Sequence, residues 1–352
     1  TGTKGKGTTS SLIYEMLKAD GKGVYLGGNI GVAPLSFLEK LKPDSIVVLE
    51  LSSFQLQDLT KSPHVAVMLM TTQEHLAPDR VEGSDQNFHT DIEDYISSKR
   101  NIFKFQTASD FAILNRDYPA SRESDVHTQG KVFYVSFHDE VGEGCVVENG
   151  KIVLKKDGKA TEIIDVEEIL LPGRHNLENV CAAVMAATLA GVSKKSIVKV
   201  LKTFKGLEHR LELVGNVKGV RYYDDSFSTT PETAIAAIEA FSDPEILILG
   251  GASKGSKFTE LGKVISEAKN IKAIIGIGIE WPKIKSEILN SKSEIAIIEG
   301  AKDMETIVKA ASKIAEFGDV VLLSPACSSF DMFENYKVRG EKFKREVFSL
   351  SK

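Results

Sequence analysis

Cysteine is scarce in this sequence. Its 352 residues include three cysteines, Cys145, Cys181 and Cys327, which are scattered along the chain and odd in number. Such a set fits neither a disulfide framework nor the paired spacing of a structural zinc site. The composition therefore favours a reducing environment, and we expect a cytoplasmic protein.

Excess positive charge and long apolar runs are also lacking. The formal net charge is −5 at pH 7, which disfavours a general nucleic-acid binder because phosphate neutralisation needs a basic surface. No apolar run approaches the roughly 18 residues of a membrane span, so no membrane partner is expected. The remaining composition, 42% hydrophobic and 26% charged, is that of an ordinary globular protein.

The segment at 1–9, TGTKGKGTT, has the composition of a phosphate-binding loop, yet the β-strand that normally leads into such a loop is lacking. An amphipathic helix is predicted behind it, from Thr8 to Asp20. The glycines would let backbone N–H groups converge on a phosphate, and Lys6 would add a cation. A flexible terminus is the alternative. We expect a fragment whose first sheet is interrupted, with exposed apolar residues beside the gap.

Strands alternate with helices along the rest of the chain. Ser45 to Leu51 and Val65 to Met70 are apolar runs typical of buried parallel strands, and Asn149-Gly150 predicts a type I′ hairpin. From 211 the alternation restarts. We therefore predict two α/β domains. Residues 1–210 would form a P-loop NTPase-like domain, a parallel sheet with appended antiparallel strands, and residues 211–352 a Rossmann-like domain.

Polar side chains follow several predicted strands, and ligands of open α/β sheets bind at those carboxyl ends. Glu50 ends the run VVLE, where a carboxylate is unfavourable to bury unpaired. It predicts a Mg²⁺ ligand, with a buried ion pair to a lysine as the alternative. His75 follows the next strand and Lys99 lies in a helix. Taken alone, they are typical of an ordinary loop histidine and a solvated surface lysine.

Together these segments resemble the Mur ligases, ATP-dependent enzymes that add amino acids to the peptidoglycan precursor, and above all the branch that adds D-glutamate. The resemblance spans essentially the whole chain and covers two of the family's three domains, without the UDP-binding one. In the first half it rests on TGTKGKGTT at 1–9, GGNIG at 27–31, VLELSSFQL at 48–56, EHL at 74–76, LPGRHNLENVCAA at 171–183 and GLEHRLE at 206–212. In the second half it rests on DDSFSTTP at 224–231, GGASKG at 250–255 and SPACSSFDMFENYKVRGEKF at 324–343.

The resemblance implies a role for each matching residue. The ATP-binding set would be Gly2, Thr3, Gly5, Lys6, Gly7, Thr8, Asn176, Asn179, Arg210 and Asp225. The magnesium set would be Glu50, His75, Thr8 and Lys99, the last as a carbamate. The muramoyl-peptide set would be Asn29, Ser52 and Gln55, and the glutamate set Thr229, Lys254, Ser329 and Tyr336. The catalytic set would be Lys6, Lys99 and His75.

Two of these implied assignments have plainer alternatives, and one departs from the family. Lys254 is also typical of a solvated loop lysine, and Tyr336 of a core aromatic residue. Gly7 stands where the family usually has Ser or Thr, so the hydroxyl ligand of Mg²⁺ would have to come from Thr8.

The implied activity is the ATP- and Mg²⁺-dependent addition of glutamate, expected to be D-glutamate, to UDP-N-acetylmuramoyl-L-alanine through an acyl phosphate. The resemblance implies a monomer that binds these small molecules. A related Mur-type enzyme such as folylpolyglutamate synthase is an alternative, which GGNIG and SPACSSFD disfavour. A further alternative is an ATP-binding fragment that is inactive without the UDP-binding domain.

Overall fold

The computed structural model describes residues 1–72, 89–253, 255–290 and 295–350. Contacts divide the chain into two units, the first made of Thr1–Leu170 with Arg174–Phe204, the second of Leu171–Gly173 with Lys205–Lys352. Within the described ranges, no helix is long and apolar enough to cross a bilayer.

The division between the units falls at Phe204, earlier than the Arg210 boundary expected from the sequence pattern. Backbone hydrogen bonds explain the difference. The N–H of Phe227 donates to the carbonyl of His209, and the N–H of Leu211 donates to the Asp225 carboxylate. The turn that carries Arg210 is therefore hydrogen-bonded to residues 225–227 of the second unit.

The first unit contains eight strands and six α-helices among the described residues. The strands are β1 Val24–Gly28, β2 Ile46–Glu50, β3 Val65–Met68, β4 Phe111–Asn115, β5 Lys131–Ser136, β6 Gly144–Glu148, β7 Lys151–Lys156 and β8 Lys159–Asp165. The helices are α1 Lys6–Ala19, α2 Ser53–Leu56, α3 Ile92–Lys104, α4 Pro119–Arg122, α5 Arg174–Leu189 and α6 Lys194–Leu201.

The larger sheet of the first unit changes from parallel to antiparallel along its length. Its order is β3-β4-β5-β6-β7-β8, with parallel pairing up to β6 and antiparallel pairing beyond it. Asn149 and Gly150 join β6 to β7 with φ of 51° and 74°, the positive values that a type I′ turn requires. The predicted antiparallel addition to a parallel sheet is confirmed.

The parallel strands of the first unit are interrupted between β2 and β3. Strands β1 and β2 form a separate parallel pair, and a cavity of about 570 Å³ lies between β2 and β3. Thr1 extends the ladder of β3, since its amine donates to the Val67 carbonyl at 2.9 Å. Val47 and Leu49 on β2 line the cavity and are 37% and 42% exposed. The predicted gap with exposed apolar neighbours is confirmed.

The second unit contains six strands and five α-helices among the described residues. The strands are β9 Glu212–Val217, β10 Val220–Asp224, β11 Glu245–Gly250, β12 Ile271–Ile277, β13 Ala296–Ile298 and β14 Val320–Leu323. The helices are α7 Pro231–Ile238, α8 Thr259–Glu267, α9 Trp281–Asn290, α10 Met304–Ile314 and α11 Tyr336–Ser349.

The sheet of the second unit is doubly wound. Its order is β13-β12-β11-β14-β10-β9, with parallel pairing except at the edge strand β9. Helices α7, α8 and α9 pack on one face, and α10 and α11 on the other. The strands β10, β14 and β11 are neighbours, so the loops that follow them meet at one edge. The predicted Rossmann-like architecture is confirmed.

Candidate active site

The loop at 2–8 is shaped to receive an anion. Gly5 precedes helix α1 with φ of 84°, and no side chain caps the helix. The N–H groups and positive dipole end of the first helical turn are therefore available to a phosphate. A Cβ at Gly5 would lie 2.1 Å from the Asn179 amide oxygen, so only glycine fits there. The predicted helix begins two residues earlier than expected, at Lys6.

Helix α5 packs directly against this loop through two asparagines. The amide nitrogen of Asn179 donates to the Asn176 side-chain oxygen at 3.1 Å, and the Thr9 hydroxyl donates to Asn179 at 3.4 Å. Both asparagines are buried. The structure thus brings together the two asparagines and the glycine loop, residues that the sequence resemblance assigns to one nucleotide.

Two lysines converge on the start of the loop. The Lys6 ammonium donates to the Gly2 and Thr3 carbonyls at 3.1 and 3.0 Å, and the Lys99 ammonium donates to Gly2 at 3.0 Å. Lys99 is only 2% exposed and lies 4.4 Å from the Tyr95 ring centre. The interpretation of Lys99 as a solvated surface lysine is wrong, because helix α3 turns this residue inward under the loop.

Glu50 offers hard oxygen atoms at the carboxyl end of β2. It is 5% exposed and accepts a hydrogen bond from the Asn29 side chain at 3.1 Å. Burial lowers the pKa of the Thr1 amine to about 4, with Lys99 and Lys6 lowering it further and Glu50 opposing them. Lys99, Lys6 and Glu50 thus all act on the Thr1 amine. The buried Glu50 carboxylate and the Thr8 hydroxyl on α1 offer oxygen atoms, the ligands that Mg²⁺ prefers.

Ser52 and Gln55 are used locally as helix caps. The Ser52 hydroxyl accepts from the Gln55 N–H at 3.3 Å, while the Gln55 side chain accepts from the Ser52 N–H at 2.9 Å. This capping box fixes the start of α2 directly after Glu50. Gln55 itself is exposed. His75 lies outside the described residues.

In the second unit, both residues that flank Arg210 in the sequence are hydrogen-bonded to aspartates. The His209 ring nitrogen Nδ1 lies 2.8 Å from the Asp224 carboxylate, and the Leu211 N–H donates to Asp225 at 3.1 Å. The Arg210 guanidinium lies 5.9 Å from the Phe227 ring centre. Burial raises the pKa of Asp225 to about 7, against hydrogen bonds from Ser324 and Leu211 and the Arg210 charge.

The described residues of the predicted glutamate set lie on loops of the second unit and at the start of α11. Ser329 is 2% exposed, and its neighbour Ser328 pairs with Ala252, whose N–H donates to Ser328 at 2.8 Å. The Tyr336 ring contacts Phe227 with centres 5.1 Å apart, two residues from Thr229. Tyr336 is half-buried at the start of α11 and not a core residue. Lys254 lies outside the described residues.

Three buried residues of these sites escaped prediction from the sequence. The hydroxyls of Tyr95 and Thr3 lie 2.9 Å apart, so helix α3 touches the phosphate loop twice. His209 and Arg339 support the loops of the second unit. For His209 and Arg339 the only available signal was their place inside the segments GLEHRLE and SPACSSFDMFENYKVRGEKF, and Tyr95 lies in neither segment.

The fold and these sites define a class, that of α/β proteins with a phosphate-binding loop in one unit and a doubly wound sheet in the other. Residues 1–187 match the Mur ligase middle domain, and residues 209–327 match the Mur ligase glutamate ligase domain. The chain belongs to the Mur ligase family and is a ligase. The resemblance predicted from its motifs is confirmed.

Curated relatives support the same branch of the family. The UDP-N-acetylmuramoylalanine--D-glutamate ligase of Acetivibrio thermocellus is 41% identical over 99% of this chain and 73% of its own length. The enzyme of that name from Symbiobacterium thermophilum is 38% identical, over 100% of this chain and 75% of its own length.

Solved structures share the fold at lower sequence identity. MurF ligase from Thermotoga maritima, in complex with ADP, has a TM-score of 0.65 at 20% identity, covering 99% of this chain and 79% of that one. MurF from Acinetobacter baumannii has a TM-score of 0.71 at 15% identity, covering 99% and 75%. At this identity the likeness concerns the fold alone.

Proposed function

We propose that the chain catalyses the ATP- and Mg²⁺-dependent joining of D-glutamate to UDP-N-acetylmuramoyl-L-alanine. This cytoplasmic step would supply the peptidoglycan precursor on which cell shape and cell division depend, and the enzyme would act as a monomer. The observation that carries the proposal is the packing of Gly5 on Asn179 with Lys6 and Lys99 at the same loop. The names of the curated relatives supply the substrates.

Residues 1–210 would bind the nucleotide, and residues 211–352 the incoming amino acid. The N–H groups at the start of α1 and the Lys6 ammonium would hold the β- and γ-phosphates. The buried Asn176 and Asn179 would face the base, and Arg210 and Asp225 would also contact the nucleotide. Because Lys6 already sits against loop carbonyls, little reorganisation is needed for it to meet a phosphate.

ATP supplies the phosphoryl group when bound, and Mg²⁺ neutralises charge on the phosphates. Glu50, Thr8 and His75 would hold the metal, with Lys99 as a carbamate. A carboxylate oxygen of the alanyl group bonds to the γ-phosphorus as the bond to ADP breaks. The amine of glutamate then attacks the acyl carbon, loses a proton and expels phosphate. Asn29, Ser52 and Gln55 would orient the alanyl carboxylate, and exclusion of water would protect the acyl phosphate.

Substitution of Lys6 tests the proposed role of the phosphate loop. Lys6→Met removes the cation that stabilises charge on the transferring phosphoryl group, so we expect ATP-dependent phosphate release to fall by about 10²–10³-fold. Lys18→Met, at the exposed end of the same helix, is the matched control. Phosphate release by Lys6→Met within a few-fold of the parent, at an unchanged melting temperature, would contradict the assignment.

A further inference from the structure

Arg339 is a buried cation whose side chain reaches several loops at once. It lies on the first turn of α11 and is 1% exposed. Its Nε donates to the Ser226 hydroxyl at 2.9 Å, and its Nη2 donates to the Ser226 carbonyl at 2.8 Å and the Cys327 carbonyl at 3.2 Å. Its Nη1 donates to the Ser328 carbonyl at 3.3 Å. The guanidinium thus joins the loop after β10 to the loop after β14.

The loop after β11 is bound into the same arrangement. Ala252 and Ser328 exchange two hydrogen bonds, from the Ala252 N–H at 2.8 Å and from the Ser328 hydroxyl at 3.2 Å. A Cβ at Gly251 would lie 2.3 Å from the Ser328 carbonyl and 3.4 Å from Arg339. Three loops therefore meet at one guanidinium, and two of them carry Thr229 and Ser329.

The chemistry of this contact is unusual for an arginine. Among the described residues, no carboxylate forms a salt bridge with Arg339, and all four hydrogen bonds found for it go to a hydroxyl and carbonyls of the loops. Burial lowers the pKa of Arg339 to about 10, so the group stays protonated near neutrality. A planar fork of five N–H donors can span these acceptors, whereas a lysine ammonium offers donors at a single point.

We propose that Arg339 is a positioning residue for the incoming amino acid, which acts by fixing the three loops of the second unit relative to one another. This inference rests on the proposed function, because Thr229 and Ser329 matter to catalysis only if they hold that substrate. The Arg339 side chain is beneath the loops and is not itself a contact to the substrate. Its loss should therefore weaken use of the amino acid more than use of ATP.

Steady-state kinetics test whether the loss of Arg339 affects use of the amino acid more than use of ATP. We expect Arg339→Met to raise KM for D-glutamate at least tenfold while KM for ATP changes less than threefold. Arg339→Lys keeps the charge but not the fork, so we expect a KM for D-glutamate nearer to that of Arg339→Met than to that of the parent. Val347→Ala is the control, since Val347 is buried in the same helix and packs in the core away from these loops.

An unchanged KM for D-glutamate in Arg339→Met would overturn the proposal, as would an equal rise in Val347→Ala at a similar loss of melting temperature. Hydrogen exchange separates this result from a failure of the proposed function. Arg339→Met should accelerate exchange at 226–230, 251–253 and 325–329 in the chain without substrates, and Val347→Ala should not. If the parent ligates no glutamate, the proposed function fails. Unchanged exchange at the three loops overturns the positioning role on its own.

Discussion

At the scale of residues, the chain buries charged groups in two different ways. Lys99 and Arg339 are buried against carbonyl groups that accept their hydrogen bonds, and both lie beside proposed substrate sites. Glu245 is buried at the opposite, amino-terminal end of its strand β11, with 0% exposure. The Asn270 side chain donates to one of its oxygens at 2.8 Å, and the other oxygen has no partner among the described residues.

Glu245 should make the stability of the second unit depend on pH. Burial raises its pKa from 4.5 to about 8, with Asp243 adding to the rise and Asn270 opposing it. Between these values the folded chain keeps a proton that the unfolded chain releases, so stability falls as pH rises from about 4.5 to about 8. We expect Glu245→Gln to remove this fall and to be more stable than the parent at pH 8 by about 4 kcal/mol, since each tenfold change in proton affinity corresponds to about 1.4 kcal/mol.

Urea unfolding at pH 5, 7 and 9 measures this difference. Glu239→Gln removes an exposed carboxylate from the end of α7 and controls for the change in net charge. The control should follow the pH dependence of the parent. Parallel pH profiles for Glu245→Gln and the parent would show that Glu245 stays ionised in the folded chain.

At the scale of elements, we predict that the cavity between β2 and β3 accepts a further strand. An extension of about five β-branched apolar residues before Thr1 would continue the ladder that Thr1 makes with Val67. We expect this extension to raise the melting temperature by about 5 °C, because it covers Val47 and Leu49 and pairs two strand edges. Differential scanning calorimetry of the two chains measures the shift.

A second substitution locates the effect in the cavity. Val47→Asp should be tolerated in the present chain, where Val47 is 37% exposed, but should cancel most of the gain in the extended chain. A Gly/Ser extension of the same length should give no gain. Equal melting temperatures for the apolar and Gly/Ser extensions would show that the cavity does not accept a strand.

The elements that the sequence predicted best are those with simple periodic patterns. The strands Phe111–Asn115 and Val320–Leu323 coincide with apolar runs of the sequence. Helix α5 begins at Arg174 with a polar first turn, which contains Asn176 and shows no apolar period that would mark the start of a helix. The hairpin between β7 and β8 was not predicted, although Asp157-Gly158 has the same turn geometry as Asn149-Gly150.

The sites were predicted less completely than the elements. Strand ends located Glu50 and the loops after β10, β11 and β14, since parallel sheets gather such loops by topology. The burial of Lys99 could not be read from one helix, because it depends on which face meets the phosphate loop. The burial of Arg339 was not predicted for a similar reason, since its acceptors are carbonyls of loops that are distant in sequence.

At the scale of the whole molecule, we propose that residues of both units take part in one reaction. The first unit supplies a glycine loop with Lys6, Lys99 and Glu50 at one strand end. The second unit contains three hydrogen-bonded loops, which we propose bind the amino acid. A ligase that activates a carboxylate as an acyl phosphate makes a specific isotopic prediction, because the oxygen that attacks phosphorus leaves with the phosphate.

The most direct test uses UDP-N-acetylmuramoyl-L-alanine labelled with ¹⁸O in its alanyl carboxylate, incubated with the chain, ATP, Mg²⁺ and D-glutamate. Mass spectrometry then follows the label in the released phosphate and in the product. The account predicts a product heavier by one glutamyl residue and one ¹⁸O atom in each phosphate released. Unlabelled phosphate beside a glutamyl product would contradict the acyl-phosphate route, and absence of any glutamyl product while ATP is bound would contradict the ligase itself.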